Sequence, residues 1–569
     1  MRPLATLTIA LVAGVLAAAP SAAGAAPTVP GHTTVSLAPV QVEITSEVRP
    51  DRRRSSKEVL AIARRVPLVR EVRAEHPRAY PAVFLKGPAR WQVSWYAPYG
   101  GEVAQVIVED WNGRVVEAWS GAQVAWTMAR GYSGAFGEHV TRLYIWLPLC
   151  LIFLLPFARI RRFWSLSNVD LLALLSLSVS LAFFDHARIG ASVPLAYPPL
   201  VYLLIRMLLR LRRAAPALDV RIRFGPRVLA AGVLFLLAFR VALNVTDGNV
   251  IDVGYAGVIG AARIVDGRAI YSSFPADNEH GDTYGPVDYE AYVPFEQIFG
   301  WSGRWDDLPA AHGAAVFFDL LCCALLFLIG RRLRGPTLGL ALAWGWCSFP
   351  FTIYALESDS NDALVGALVL AAILAASYGT RPAAGAARGL AAGLAGLAKF
   401  APLALLPVFA THGLRERSIG RTRALVAFGA GVLVAAALAA IPLIGHTSLS
   451  LLWQRTVAYQ ATRNAPFSIW GYWNLHWEQK LVAVGALALA LTLAVVPRRG
   501  DLVGLCAAVA AILIGVELAL EYWFYLYLPW FFGPALIAIL AAGNRGATPV
   551  TVTASESARS QSPAAVLST

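Results

Sequence analysis

The chain has 569 residues, 57% of them hydrophobic and 15% charged, with a formal net charge of +13. So apolar a composition excludes an ordinary soluble domain and predicts a chain that lives mostly in a bilayer. The positive balance comes almost wholly from arginines flanking apolar runs, with only Lys57, Lys86, Lys399 and Lys480 as lysines, so it reports topology rather than nucleic-acid binding.

Residues 1–25 have the plan of a secretory signal peptide: Met1-Arg2, an apolar run from Leu4 to Ala19, then small residues where Ala23-Gly24-Ala25 would suit cleavage, with an uncleaved anchor as the alternative. Residues 27–140 hold no span. Ser55–Arg65 places Val59, Leu60, Ile62 and Ala63 near one helix face, while Trp91–Tyr96, Val103–Asp110 and Arg114–Trp119 alternate as strands, with Asn112-Gly113 as a hairpin turn. One helix on a small antiparallel sheet resembles a PepSY-like module, a type that binds or regulates more often than it catalyses.

Spans are expected near 143–158, 169–186, 193–209, 227–244, 313–330, 336–356, 362–378, 422–443, 480–497, 502–520 and 524–542. The first three of these, within 143–226, are accessory helices; 227–542 reads as one membrane module with an outer loop at 245–310, and 543–569 as a disordered cytoplasmic tail. All five cysteines fall in apolar stretches and read as packing residues. The positive-inside rule puts the soluble domain and the loop 245–310 outside. One place breaks the alternation. If Arg388–Ala410 crossed once, the arginines from Arg415 to Arg423 would lie outside. Two apolar pieces, Gly389–Ala398 and Leu403–Ala410, meet at Lys399-Phe400-Ala401-Pro402, and Pro402 breaks the helix. A re-entrant hairpin restores the charge pattern, its broken backbone shielded by protein or a watery cavity. The expected fold class is therefore mainly α, a polytopic membrane protein of about eleven spans plus a re-entrant hairpin, behind a small α+β extracytoplasmic domain.

The outer loop carries the most chemistry, with eleven of the chain's 35 acidic residues. Asp252 opens a short amphipathic helix at the membrane boundary, where partial desolvation would suit a general base; an Asp offsetting the helix dipole is the plainer reading. Asp247, five residues earlier, is its rival. Asp282 and Tyr284, in a turn-rich segment, and Tyr289, Tyr292, Trp301 and Trp305 could face a sugar, although rings at this depth equally suit an interfacial belt. Glu357, Asp359, Asn361 and Asp362 crowd one short outer link, where they could position a hydroxyl or hold a hard cation, or cap the next helix. Lys399 is an ammonium in an apolar hairpin, a functional position unless it snorkels to an interface.

The order Asp252-x-x-Tyr255, Ala262-Arg263-Ile264, Gly267, Tyr271, Tyr284-Gly-Pro286, Asn361-Asp362 and Lys399-x-x-Pro402 resembles the GT-C membrane glycosyltransferases, closest to glycosyltransferase family 87, over residues 227–542. The resemblance implies transfer of a sugar, a hexose such as mannose, from a polyprenyl-phosphate donor to an extracytoplasmic lipid or glycan acceptor at the plasma membrane. It implies Asp252, with Asp247 as alternative, as the base. Lys399 with Arg263 or Arg268 would hold the donor phosphate, and Asp282, Tyr284, Glu357, Asp359, Asn361 and Asp362 would lie toward the acceptor. No cofactor is required by that chemistry, no metal ligand set is assigned, and a divalent cation stays open as an assistant. The accessory spans and the long loop depart from the family pattern and leave the acceptor undefined. A transporter or flippase for a lipid-linked anion, and an extracytoplasmic sensor or scaffold, are the rival classes.

Overall fold

The structure is a computed structural model that describes residues 39–98, 100–131, 136–162, 164–212, 222–306, 308–413, 421–496 and 500–541. The expected signal segment and C-terminal tail lie outside the described residues, as do Arg415 and Arg417. The chain divides into two compact units, residues 1–127 and 128–569.

The first unit is an antiparallel meander in the order β1 (Val40–Val42), β2 (Tyr80–Lys86), β3 (Arg90–Tyr96), β4 (Glu102–Glu109) and β5 (Val115–Ser120), with helices α1 (Ser56–Arg64) and α2 (Pro67–Glu75) packed on it. Helix α1 starts where Ser55 and Glu58 cap each other's backbone N–H groups. The register pairs Trp91 with Val108, Val93 with Val106 and Trp95 with Ala104, so one face of the sheet buries these residues against Val59, Leu60, Ala63, Val69 and Val72. Gly113, at φ +73°, makes the expected turn, and the Asn112 side-chain Oδ1 accepts from Arg114 N–H at 2.8 Å. Strands β1 and β2 and helix α2 were not expected. Pro81 weakens the strand signal of β2, and β1 is three residues long.

The second unit is helical. Seven of its described helices are long and apolar enough to cross a membrane: α4 (Leu166–Asp185), α5 (Ile189–Arg210), α6 (Pro226–Asp247), α9 (Pro309–Arg334), α15 (Arg421–Ala440, continued to Leu443), α16 (His476–Val495) and α17 (Leu502–Ala519). The pair α10 (Pro336–Ser348) and α11 (Pro350–Glu357), bent by 56° at Phe349, makes an eighth if it is one broken span. Three expected spans are shorter: α3 (Leu143–Leu154), α12 (Asp362–Ala376) and α18 (Leu528–Leu540) have 12, 15 and 13 residues. A straight crossing takes about 20. Pro148 and Pro534 lie inside α3 and α18, and each removes one donor from the helix hydrogen-bond ladder. The loop after α6 is folded, with α7 (Asp252–Val265) and α8 (Pro286–Phe299) joined by two short 3-10 turns.

Helix α13 (Pro382–Ala398) ends at Lys399, whose backbone is extended, and a 3-10 turn over Ala401–Leu405 leads into α14 (Leu406–Thr411). A Cβ on Gly396 would lie 3.4 Å from the Leu403 Cα. Residues seven apart in a continuous helix are separated by about 10 Å, so the chain turns back at Lys399. Helix α15 then packs parallel to α13, because the contacts advance together: Gly385 meets Ala424, Gly389 meets Phe428 and Gly393 meets Val432. Glycines every fourth residue allow backbone approach close enough that a Cβ at Gly389 would fall 2.0 Å from the Phe428 carbonyl oxygen. The first limb, with 17 residues, is longer than the half-length piece expected.

Candidate functional site

The recess is assembled around the start of α7. Asn244, buried at the end of α6, donates from Nδ2 to the Leu356 carbonyl and to Asp359 Oδ1, both at 2.9 Å. The link after α11 then receives the next turn of chain: Asn249 N–H bonds the Glu357 carbonyl at 2.8 Å and Ile251 N–H the Ser358 carbonyl at 3.3 Å. Asp359 holds a left-handed backbone, φ +49°, and its carbonyl oxygen lies 2.4 Å from where a Gly254 Cβ would stand. Only glycine fits there. This seating fixes Asp252, the first residue of α7, whose carbonyl also accepts from Asn278 Nδ2 at 2.9 Å.

Asp252 is solvent-accessible, yet surrounding protein is the leading influence on it. Both hold for a carboxyl lining a wet recess. Burial raises its pKa above the ordinary carboxylate value, against the pull of Arg463 and Lys399.

The hairpin tip brings in the lysine. Lys399 Nζ donates to Asp362 Oδ1 at 2.6 Å, and Trp530 Nε1 donates to the same oxygen at 2.8 Å. The rings of Tyr284, Tyr527 and Trp530 surround the ammonium, with centroids at 5.4, 5.4 and 5.5 Å. Gly285 docks on the same tip: its N–H bonds the Ala398 carbonyl at 2.9 Å, and a Cβ would lie 1.8 Å from the Leu397 carbonyl oxygen. The Tyr284-Gly285-Pro286 sequence thus turns into α8 against the hairpin. Asp288, one turn on, is buried and accepts from Asn361 Nδ2 at 2.7 Å. Burial pushes its carboxyl up to about 7, opposed by Lys399 and the Asn361 bond. Arg463, between α15 and α16, completes the ring. Its guanidinium lies 4.0 Å from the centre of the Tyr522 ring, and its charge acts on Asp252, Tyr284 and Tyr527. Burial raises Tyr284 and Tyr522 above the usual phenol range, so both stay O–H groups.

Other residues singled out from sequence lie elsewhere. Asp247 accepts from His139 N–H at 2.8 Å and contacts its ring. Asp282 is fully buried and clamped by Arg455, with Nε at 2.7 Å and Nη2 at 2.8 Å, while Ser272 N–H bonds it at 2.6 Å. It pins the loop. Arg263 turns to the Ser273 carbonyl, and Arg268 is exposed beside Asp266. Glu357 and Asp359 are buried beneath the recess, the latter 3.2 Å from His312 Nδ1. Tyr289 and Tyr292 are covered by the close-packed Gly260 and Gly257 of α7, so they form the core of the loop rather than a sugar face.

Beside the recess runs an open groove of about 700 Å³, largely apolar, lined by Leu364, Leu368, Leu394 and Leu438 with Arg268 and Glu290 among its polar members. Leu364 is two residues from Asp362, and groove-lining Val287 is adjacent to Asp288. Burial pushes the Glu290 carboxyl up to about 7.

Arg463, Asp288, Tyr522, Tyr527 and Trp530 were not picked out from the sequence. Arg463 carried a signal: with Arg455 it sits in a segment that the topology places outside, where arginine goes against the charge rule. Chemically, the site sets one accessible carboxyl of raised pKa within electrostatic reach of two cations. No family model matches the chain, and no curated protein matches it either.

Proposed function

We propose that the chain is an integral-membrane glycosyltransferase that moves a sugar, in our reading a hexose such as mannose, from a polyprenyl-phosphate donor to a hydroxyl of an extracytoplasmic lipid or glycan. The observation that carries this reading is that Asp252, an accessible carboxyl, lies within electrostatic reach of both Arg463 and Lys399. Asp252 takes the proton of the acceptor hydroxyl as its oxygen attacks the anomeric carbon. The bond from that carbon to the phosphate oxygen breaks, and polyprenyl phosphate leaves with one more negative charge than it had in the diester. Lys399 and Arg463 meet that developing charge, which is where fixed cations accelerate most. The largely apolar groove of about 700 Å³ would take part of the lipid tail, and the aromatic rings around Lys399 would offer faces for a sugar. The donor carries its own leaving group, so no cofactor enters the scheme.

The test is transfer of radiolabelled sugar from polyprenyl phosphate into lipid or polysaccharide by proteoliposomes that contain the purified chain. Transfer that Asp252→Asn abolishes supports the reading. The rival is a flippase, favoured by the broken hairpin with an ion pair at its tip. Movement of intact donor across the vesicle wall, with no new glycosidic bond, would replace the first reading by the second.

A further inference from the structure

A second cluster lies apart from the contacts that make the recess. A ring nitrogen of His139 and one carboxylate oxygen each from Glu138 and Asp247 all fall within 4.8 Å of one another. The backbone sets this up: Glu138 N–H bonds the Asp247 carbonyl at 3.2 Å, and His139 N–H bonds Asp247 Oδ2 at 2.8 Å. Both residues are therefore held over the last turn of α6. Gly137, at φ +83°, permits the approach, for a Cβ there would stand 2.7 Å from the Glu357 Cβ. Glu138 and His139 are exposed on their outer side, leaving room for water.

An independent observation points to a cation. Glu357, packed under Gly137, is fully buried, and neither of its carboxylate oxygens has a hydrogen-bond partner among the described residues. It lies within electrostatic reach of Asp247 and Asp359. The nearby cation, Arg240, is committed to Asp319, with Nε at 3.0 Å, and His312 faces Asp359. The spot thus carries an excess of acid, which proteins offset with a proton or a metal ion.

We propose that Glu138, His139 and Asp247 bind one divalent transition-metal ion of the zinc class. An imidazole nitrogen with two carboxylate oxygens suits zinc or its neighbours, whereas calcium and magnesium take oxygen ligands. Water completes the coordination on the exposed side. The ion clips the segment ahead of α3 to the end of α6. The site does not depend on the transfer reaction proposed above.

The experiment uses the full chain in detergent, stripped with chelator, desalted and titrated with zinc alone. Bound metal is counted by mass spectrometry after dialysis, and the unfolding midpoint is followed. Wild type is expected to retain about one ion per chain and to gain thermal stability, as metal binding to a folded site requires. His139→Gln and Asp247→Asn should lose the ion, and Glu138→Gln should weaken it by at least about tenfold. Magnesium should not substitute. Because Glu138 is exposed, its variant keeps the fold and serves as the control if the other two aggregate. Unchanged zinc retention in Glu138→Gln, or no retained zinc in wild type, overturns the site and leaves an ordinary His–Asp hydrogen bond.

Discussion

Replacing Lys399 with methionine tests two roles at once, because its ammonium both pairs with Asp362 and, in our reading, meets the donor phosphate. The two side chains are 8% and 1% exposed and 2.6 Å apart. Removing one member of so buried a pair leaves an uncompensated charge, at a cost of about 3–5 kcal/mol. Lys399→Met should therefore lower the unfolding midpoint by several degrees and stop transfer. Adding Asp362→Asn removes the orphaned charge while its amide oxygen still accepts from Trp530 Nε1, so the double variant should regain most of the lost stability. It should not regain activity: loss of a cation that stabilises developing charge costs at least about a hundredfold. The assay is thermal unfolding in detergent alongside sugar transfer at saturating and limiting donor. A double variant that recovers both stability and transfer would show that the pair is only structural.

Further outcomes follow from the same geometry. Asp252→Asn should cut turnover by about a hundredfold or more with donor binding kept, whereas Asp247→Asn should leave turnover near wild type; the reverse result in the transfer assay would exchange their roles. Because burial raises the Asp252 pKa, kcat/KM should fall on the acid side at a pH above that of an ordinary aspartate, and a pH profile lacking that limb would remove it as the base. Arg463→Ala should lower kcat/KM and weaken inhibition by free polyprenyl phosphate, with Arg463→Lys intermediate; unchanged inhibition would place the leaving phosphate elsewhere. Asp288 is raised to about 7 when folded, against about 3.9 unfolded. Between those values only the folded chain holds that proton, so stability falls as pH rises through this window. Asp288→Asn should then be more stable than wild type at pH 8 and not at pH 4, and an equal difference at both would refute the burial argument.

Much of the site was legible in the sequence because its key residues break local rules. Lys399 is a lysine in an apolar run ended by a proline, and the chain does reverse there, with α13 and α15 starting at the same end. Asp252 opens a helix after an apolar span, and the helix runs Asp252–Val265 as the periodicity required. What the sequence hid is pairing across the fold. Nothing local distinguishes Asp282, closed off by Arg455 from 173 residues away, from Asp252, which stays accessible. Likewise, nothing near Asp288 in sequence announces that it is buried and bonded to Asn361, 73 residues on. Tyr522, Tyr527 and Trp530 stand among apolar residues at the end of the chain's last span, and an interfacial belt and a binding pocket use the same side chains, so nothing local marks them.

The recess is held more by backbone than by side-chain packing, which bears on what it can do. Gly254 rests on the Asp359 carbonyl and Gly285 on the Leu397 carbonyl, each too close for any Cβ. The first contact sets Asp252, two residues earlier, and the second sets Tyr284 against the hairpin tip that bears Lys399. Between them, Asp362 and Asn361 come from one link and engage the hairpin tip and α8, respectively. Side chains at such seams could slide by a rotamer; main-chain contacts of this kind cannot. Asp252 and Lys399 are thereby referred to one segment, Glu357–Asp362, whose Asp359 is held by Asn244 and His312. Proton removal and charge stabilisation by separate groups gain rate only when their spacing is held through the reaction, and a shared backbone anchor supplies that spacing.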